Sequence, residues 1–203
     1  PTITLLQLPD DNNKLSDWEL TPTTPNWAHS WTNYWQPGEA GAQARLAAFL
    51  DEDLNNYSQE RDRPDLPSTS RLSPHLHFGE ISPRQVHAAV NFQHFQDPML
   101  VSGAEKFMSE LGWREFSHHL LYHFPAITTE NWRPAFEAYP WRDSQQDLNA
   151  WRRGQTGYPF VDAGLRELWQ TGFMHNRARM IVASFLVKHL RIHWREGEAW
   201  FWD

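Results

Sequence analysis

Hydrophobic and polar positions fall into two regimes along this chain. Residues 1–37 are polar, hold five prolines (Pro1, Pro9, Pro22, Pro25 and Pro37) and show no helical period, which reads as the end of an interdomain connector. From Glu39 onward the spacing is helical. Ala40 to Leu54 is rich in alanine and leucine and stops at Asn55-Asn56. Tyr57 to Ser73 is polar and punctuated by proline, so a structured loop is predicted there. Ser73-Pro74 and Ser82-Pro83 each place a hydroxyl at an N-cap and a proline in the first turn, where its missing N–H costs nothing. Ser82-Pro83-Arg84-Gln85 also has the form of a capping box. Asp97-Pro98 opens a long helix that runs to His123, and Tyr158-Pro159 opens another that Gly172 closes. Met174 to Leu190 is so nearly apolar that a helix buried in a bundle is predicted. No strand, internal repeat or low-complexity tract is found, and the chain reads as all-α.

Composition changes this picture in a few places. The chain has 203 residues, 40% of them hydrophobic, which is enough for one domain with a substantial core and excludes a disordered tail. Twelve Trp and twelve Phe exceed what such a core needs. The surplus fits a stacking platform for bases or a flat cofactor, and equally an unusual core. Cysteine is absent, so disulfides and thiolate metal sites are excluded. No apolar run approaches the roughly 18 residues of a membrane span and no charged-then-apolar leader opens the chain. A soluble, cytoplasmic monomer is expected, and Pro1 in place of an initiating methionine suggests excision from a longer polypeptide.

The net charge of −7 argues against nucleic acid only until its distribution is read. Residues 1–70 hold 4 basic and 11 acidic side chains, whereas residues 151–195 hold 8 basic and 2 acidic ones. Phosphate binding needs a local positive face, not a basic protein. A helix with solvated arginines explains the same numbers.

Three segments carry candidate chemistry. In Thr69-Ser70-Arg71-Leu72-Ser73-Pro74, three hydroxyls lie in a loop that leads straight into a helix N-terminus, where N–H groups and the helix dipole favour an anion such as a pyrophosphate. Simple capping is the plainer explanation. In the second, Glu110, Trp113, Arg114 and Ser117 share one helix face. A carboxylate, an indole and a guanidinium side by side suit a flat, hydrogen-bonding ligand such as a pyrimidine, or form a surface ion pair beside a core tryptophan. The third runs from Trp169 to Met180, with Asn176 and Met180 one turn apart and Arg177 and Arg179 beside them. An asparagine and two arginines in an otherwise apolar helix are costly unless paired or facing a ligand. Glu115, His119 and His123 also recur at four-residue spacing, but the outer pair lies about 12 Å apart along the axis. No metal site is predicted from them.

Taken together, Thr-Ser-Arg-Leu-Ser-Pro-His-Leu-His-Phe-Gly (69–79), Glu-Leu-Gly-Trp-Arg-Glu-Phe (110–116), Gly-Tyr-Pro-Phe-Val-Asp-Ala-Gly-Leu-Arg (157–166) and Met-His-Asn-Arg-Ala-Arg-Met (174–180) resemble the photolyase/cryptochrome family. The likeness runs in order from about residue 39 to the end. It implies an all-α, helical FAD-binding domain over residues 39–203, with residues 1–38 a connector remnant. It implies blue-light-driven repair of cyclobutane pyrimidine dimers by electron transfer from reduced FAD, with dimer-containing DNA as the partner. By the same resemblance Tyr57 and the loop of Thr69, Ser70, Leu72 and Ser73 hold FAD. Glu110 hydrogen-bonds the dimer and Trp113 packs against it. Asn176 and Met180 make further contacts to flavin or lesion. Arg61 and Arg177 grip DNA phosphates, Arg179 pairs with an aspartate near the isoalloxazine ring, and Trp141 and Trp194 relay electrons from the surface.

Those roles suit the residue types. The cofactor does the hard step while the protein positions it, and a lesion must leave the duplex to reach a buried flavin. Trp113 would replace the lost stacking, and Glu110 would stabilise charge growing on a pyrimidine. To donate a proton Glu110 would have to be protonated, which requires burial. Trp113 and Met174-His175-Asn176 resemble the dimer-repairing branch, while the ending Phe201-Trp202-Asp203 is shared with cryptochrome-like relatives. A cryptochrome-like blue-light receptor without repair and a helical module without cofactor are therefore the alternatives. The family's N-terminal α/β antenna domain, which would carry the antenna chromophore, is missing. So are the Asp-x-Asp motif, the asparagine near flavin N5 and the tryptophan closest to the ring. Weak FAD binding or none, and little repair, is expected of this chain alone.

Overall fold

The computed structural model describes residues 14–20 and 24–202; Pro1, Pro9, Pro22 and Asp203 lie outside the described residues. No strand occurs among the described residues, and the all-α expectation holds. Helix α1 (Glu39–Ala48) continues through a π turn over Phe49–Asp53. Short α2 (Tyr57–Glu60) and α3 (Ser73–His77) bracket a loop and are followed by α4 (Pro83–Gln96). The long α5 (Val101–His123) ends where the sequence predicts. Then come α6 (Gln145–Arg152), α7 (Pro159–Thr171), α8 (Asn176–Ser184) with a π turn over Phe185–Leu190, and α9 (Trp194–Trp202).

Two hydrophobic cores divide these helices into two lobes. The first gathers α1 to α5 around Leu46, Phe49, Leu54, Tyr57, Val86, Val90 and Phe107. The second gathers α6 to α9 around Trp151, Val161, Leu165, Val182, Phe185 and Leu186. Local signals set the helix ends. Ser82 accepts from Gln85 N while Gln85 Oε1 accepts from Ser82 N, so the capping box forms. Asp97 accepts from Met99 N, and Gly172 closes α7 at φ 71°, the left-handed conformation a glycine adopts freely.

Three expectations are corrected. The stretch from Tyr57 to Ser73 is not loop throughout: Tyr57 is buried edge-on against Phe49 and Phe107, and that packing winds α2. Ser73 is not an N-cap, because α3 begins with it, and the residue at the cap position, Leu72, makes no capping bond. The segment from Met174 starts its helix only at Asn176, where the His175 side chain accepts from Arg177 N. Nor is that helix buried all round: Ala178 and Val182 face the core, while Asn176, Met180 and Ile181 are exposed.

Residues 30–35 cap the end of α7. The last carbonyls of α7 have no partner within their helix. Trp31 Nε1 donates to Trp169 O, Ser30 Oγ to Gln170 O and Trp35 Nε1 to Thr171 O. A Cβ at Gly172 would come within 3.1 Å of the Trp31 ring, so this glycine also makes room for the tryptophan. Among the described residues no helix is long and apolar enough to cross a membrane, and no three His, Asp or Glu side chains converge to hold a metal ion.

Candidate functional site

A hollow of about 280 Å³ opens at the seam between the lobes. The first lobe lines it with Tyr57, Arg61, the loop from Thr69 to Ser73, and Glu110; the second with Phe173, Met174, Asn176 and Arg179. Glu110 and Asn176, far apart in sequence, therefore face one cavity.

The loop wall is fastened from behind. Arg45 on α1 donates through Nε to Ser70 O at 2.8 Å and through Nη2 to Thr69 O at 2.9 Å, and it lies 3.7 Å from Asp53. Its carbonyls being engaged, the loop has its N–H groups and hydroxyls left for the hollow. Ser70 Oγ accepts weakly from Leu72 N at 3.4 Å, and Thr69 and Ser73 hydroxyls have no partner among the described residues. Arg71 takes φ 50°, a left-handed kink costing about 1–2 kcal/mol in a non-glycine residue. Its guanidinium sits 4.9 Å from the centre of the Phe173 ring on the opposite wall, a cation–π contact that offsets part of that cost.

The other side is a chain of charges. Lys106 Nζ lies 3.4 Å from Glu110, Glu110 lies 3.0 Å from Arg61, Arg61 lies 2.6 Å from Asp62, and Asp62 also pairs with Arg177. A hydrogen bond from Arg177 holds the Asp62 carboxyl below its ordinary range. Burial pushes the Tyr57 phenol up, against the pull of neighbouring Arg61. His175 stitches the walls together, hydrogen-bonding Arg61 O through Nε2 at 3.0 Å while its Nδ1 caps α8.

Two guanidiniums leave capacity for a ligand. Arg61 Nε is buried with no hydrogen-bond partner. Arg179 lies 5.7 Å over the Phe201 ring, and desolvation lowers its pKa from the ordinary value. No carboxylate among the described residues pairs with it.

Of the residues singled out in the sequence, Tyr57, Arg61, Thr69, Ser70, Leu72, Ser73, Glu110, Asn176 and Arg179 line the hollow together. Arg177 sits beside it through Asp62. Met180 does not line it; its sulfur lies 3.9 Å from Asn176 Nδ2 and 3.8 Å from Arg177 Nη1. Trp113 is also outside the lining, 61% exposed and edge-on to Phe116. Its partners on the predicted face diverge: Arg114 pairs with Glu115 and reaches Leu76 O, and Ser117 bonds back to Trp113 O. Trp141 and Trp194 flank His193 at 4.8 and 5.6 Å, away from the hollow, and Trp194 Nε1 donates to Asn131. Arg71, Phe173 and Met174 were missed as lining residues, although all three lie inside or beside the motifs that pointed to the site.

Residues 107–203 match the family described as the FAD binding domain of DNA photolyase. The deoxyribodipyrimidine photo-lyase of Agrobacterium fabrum is 51% identical over 95% of this chain and 40% of its own length. Cryptochrome-2 of Arabidopsis thaliana is 39% identical over 85% of this chain and 29% of its own. The crystal structure of a bacterial class III photolyase from Agrobacterium tumefaciens superposes with a TM-score of 0.90 at 51% identity, over 94% of this chain and 39% of that one. The chain thus spans about two fifths of its photolyase relative.

Proposed function

Because the chain belongs to the photolyase/cryptochrome family, we propose that it carries the cofactor hollow of an enzyme that repairs cyclobutane pyrimidine dimers in DNA with blue light. The observation that carries this reading is the convergence of Glu110, Asn176 and the hydroxyl loop on one cavity. The donor set fits FAD: unpartnered hydroxyls on a loop feeding a helix, a buried Arg61 Nε without a partner, and an Arg179 guanidinium with no carboxylate beside it. Thr69, Ser70, Leu72, Ser73 and Tyr57 would hold it, with the loop at its phosphates. When bound, reduced FAD supplies the photoexcited electron that opens the dimer and receives it back.

The chain's own residues orient and select. Glu110 meets the flipped pyrimidine, held in place by Arg61 and Lys106. Arg61 is 9% exposed and committed to two carboxylates, which suits positioning better than the phosphate contact expected of it. Arg177 is the half-exposed guanidinium on the rim and takes the phosphate role. Trp113 offers an exposed indole face for a base out of the stack, worth about 1–3 kcal/mol. Trp141 and Trp194 suit an electron route from the surface. A light receptor would share the hollow without needing that exposed indole.

The test is recovery of pyrimidine absorbance when the intact, reduced protein is lit in the presence of a dimer-containing oligonucleotide. Trp113→Ala is expected to weaken dimer binding about tenfold or more, and Glu110→Ala to slow repair about tenfold or more while FAD is retained. Absence of recovery in the wild type overturns the repair reading; unchanged dimer affinity in Trp113→Ala removes the stacking role.

A further inference from the structure

The charge chain along the seam contains one member with no assigned task. Asp62 follows α2, is 44% exposed, and accepts from Arg61 of its own lobe and Arg177 of the other. The series Lys106, Glu110, Arg61, Asp62, Arg177 alternates in sign and sums to a single positive charge. We propose that Asp62 limits the attraction of this site for DNA phosphates in general: its carboxylate, shared by Arg61 and the rim residue Arg177, offsets their charge towards damaged and undamaged duplex alike. This rests on the DNA-repair reading above.

The physical case has three parts. Phosphate contacts supply binding that is indifferent to sequence and to damage, so each added rim charge strengthens undamaged and damaged duplex alike. Discrimination comes from the hollow, which only an extruded base can enter. A fixed negative charge beside Arg177 repels every phosphate and leaves the hollow's contribution intact, so it lowers damage-independent binding without changing the ratio between the two ligands. The hydrogen bond from Arg177 lowers the Asp62 carboxyl below its ordinary range, towards the charged form.

Removing that charge need not part the lobes. His175 joins them without Asp62, through Nε2 to Arg61 O and through Nδ1 from Arg177 N. An asparagine at position 62 keeps one carbonyl oxygen able to accept from either guanidinium. The substitution therefore separates charge from scaffold.

The experiment compares the intact wild-type protein with Asp62→Asn and Asp62→Glu, using one undamaged duplex and the same duplex with a single thymine dimer across a salt series. Asp62→Asn is expected to bind undamaged duplex about three- to tenfold tighter, with a salt slope steeper by up to about 0.9, the value of one phosphate contact. Damaged duplex tightens by the same factor, so the damaged-over-undamaged ratio is unchanged, and Asp62→Glu returns both affinities to wild type. A structural role would loosen both ligands together and leave the slope alone. Unchanged or weaker undamaged binding with an unchanged slope overturns the proposal, as does a gain confined to undamaged duplex or failure of Asp62→Glu to return the affinities to wild type. A wild type that binds both duplexes equally removes the repair reading instead, and the Asp62→Asn effect on undamaged duplex is still read by itself.

Discussion

The two lobes achieve close packing by opposite means. In the first, a helix meets non-helical backbone where a side chain is missing: a Cβ on Gly103 would fall 1.7 Å from Leu54 O, and one on Gly41 would fall 1.8 Å from Gln36 O. In the second, the space is filled by the largest side chain available. Trp151 is fully buried, donates from Nε1 to Val182 O at 3.1 Å and packs 5.7 Å from Phe201. One lobe thus cannot accept an added carbon, and the other cannot lose a ring. Both constraints reach the hollow, since Leu54 leads directly into Tyr57 and Arg61, while Val182 lies on the helix that carries Asn176 and Arg179.

Gly103→Ala should be the most damaging single change. The new methyl would meet backbone, which cannot swing aside, so α5 must move off the turn after α1 at a cost of about 3 kcal/mol. The paired control is Gly197→Ala in the second lobe. Its Cβ meets Leu186 Cδ2 at 2.6 Å, the end of a flexible side chain, and next Trp151 at 3.5 Å. There the gain in helix propensity, about 1 kcal/mol, roughly balances the crowding. Urea unfolding of both variants measures the difference; equal midpoints would erase the contrast between the lobes.

Trp151→Phe should come next. It removes ring volume from a closed core and leaves Val182 O without its indole donor, together about 2 kcal/mol. Amide exchange should rise in α7 and α8 and stay unchanged in α4, which belongs to the other core. Exchange that rises equally in α4 would mean that the two cores unfold as one.

What could be read in advance was local. The capping box at Ser82, the left-handed Gly172 and the end of α5 at His123 depend on neighbours within a few residues, and all are present. Three of the four family-like blocks pointed to the hollow because loop hydroxyls and helix-face polar groups sit inside short motifs, whereas no residue of the block at 157–166 lines it. The misses are long-range. Arg177 pairs with Asp62 115 positions away, so neither arginine could be seen to be committed. The tryptophans at 27, 31 and 35 repeat every four residues, a visible signal, but the acceptors of Trp31 and Trp35 at the end of α7 are more than 130 positions distant. Phe173 and Met174 were passed over because apolar residues beside a polar motif look like core.

The smallest expected effect distinguishes how the lobes hold their turns in acid. In the second lobe Asp162 is buried, and desolvation, the largest influence, works to raise its pKa. Hydrogen bonds from the Thr156 hydroxyl and N–H and from Gly157 N–H outweigh it together, so the carboxyl titrates below its ordinary 3.8. In the first lobe Glu80 is likewise lowered, by its bond to His75 and then by Gly38 N–H, which it accepts at 2.8 Å. A carboxyl whose folded pKa is depressed contributes stability that is complete above its unfolded pKa and is lost as pH falls through the folded one. Between pH 5 and 7 the urea midpoint should therefore be insensitive to either group. Below about 3.8 the wild type should lose stability faster than Asp162→Asn, so the gap between them closes as acid is added. Because Glu80 lies in the other core, the same closing gap for Glu80→Gln should be read by exchange in α3, not in α7. A gap between wild type and Asp162→Asn that stays constant down to pH 3 would mean that the charge on Asp162 contributes nothing beyond what an amide supplies.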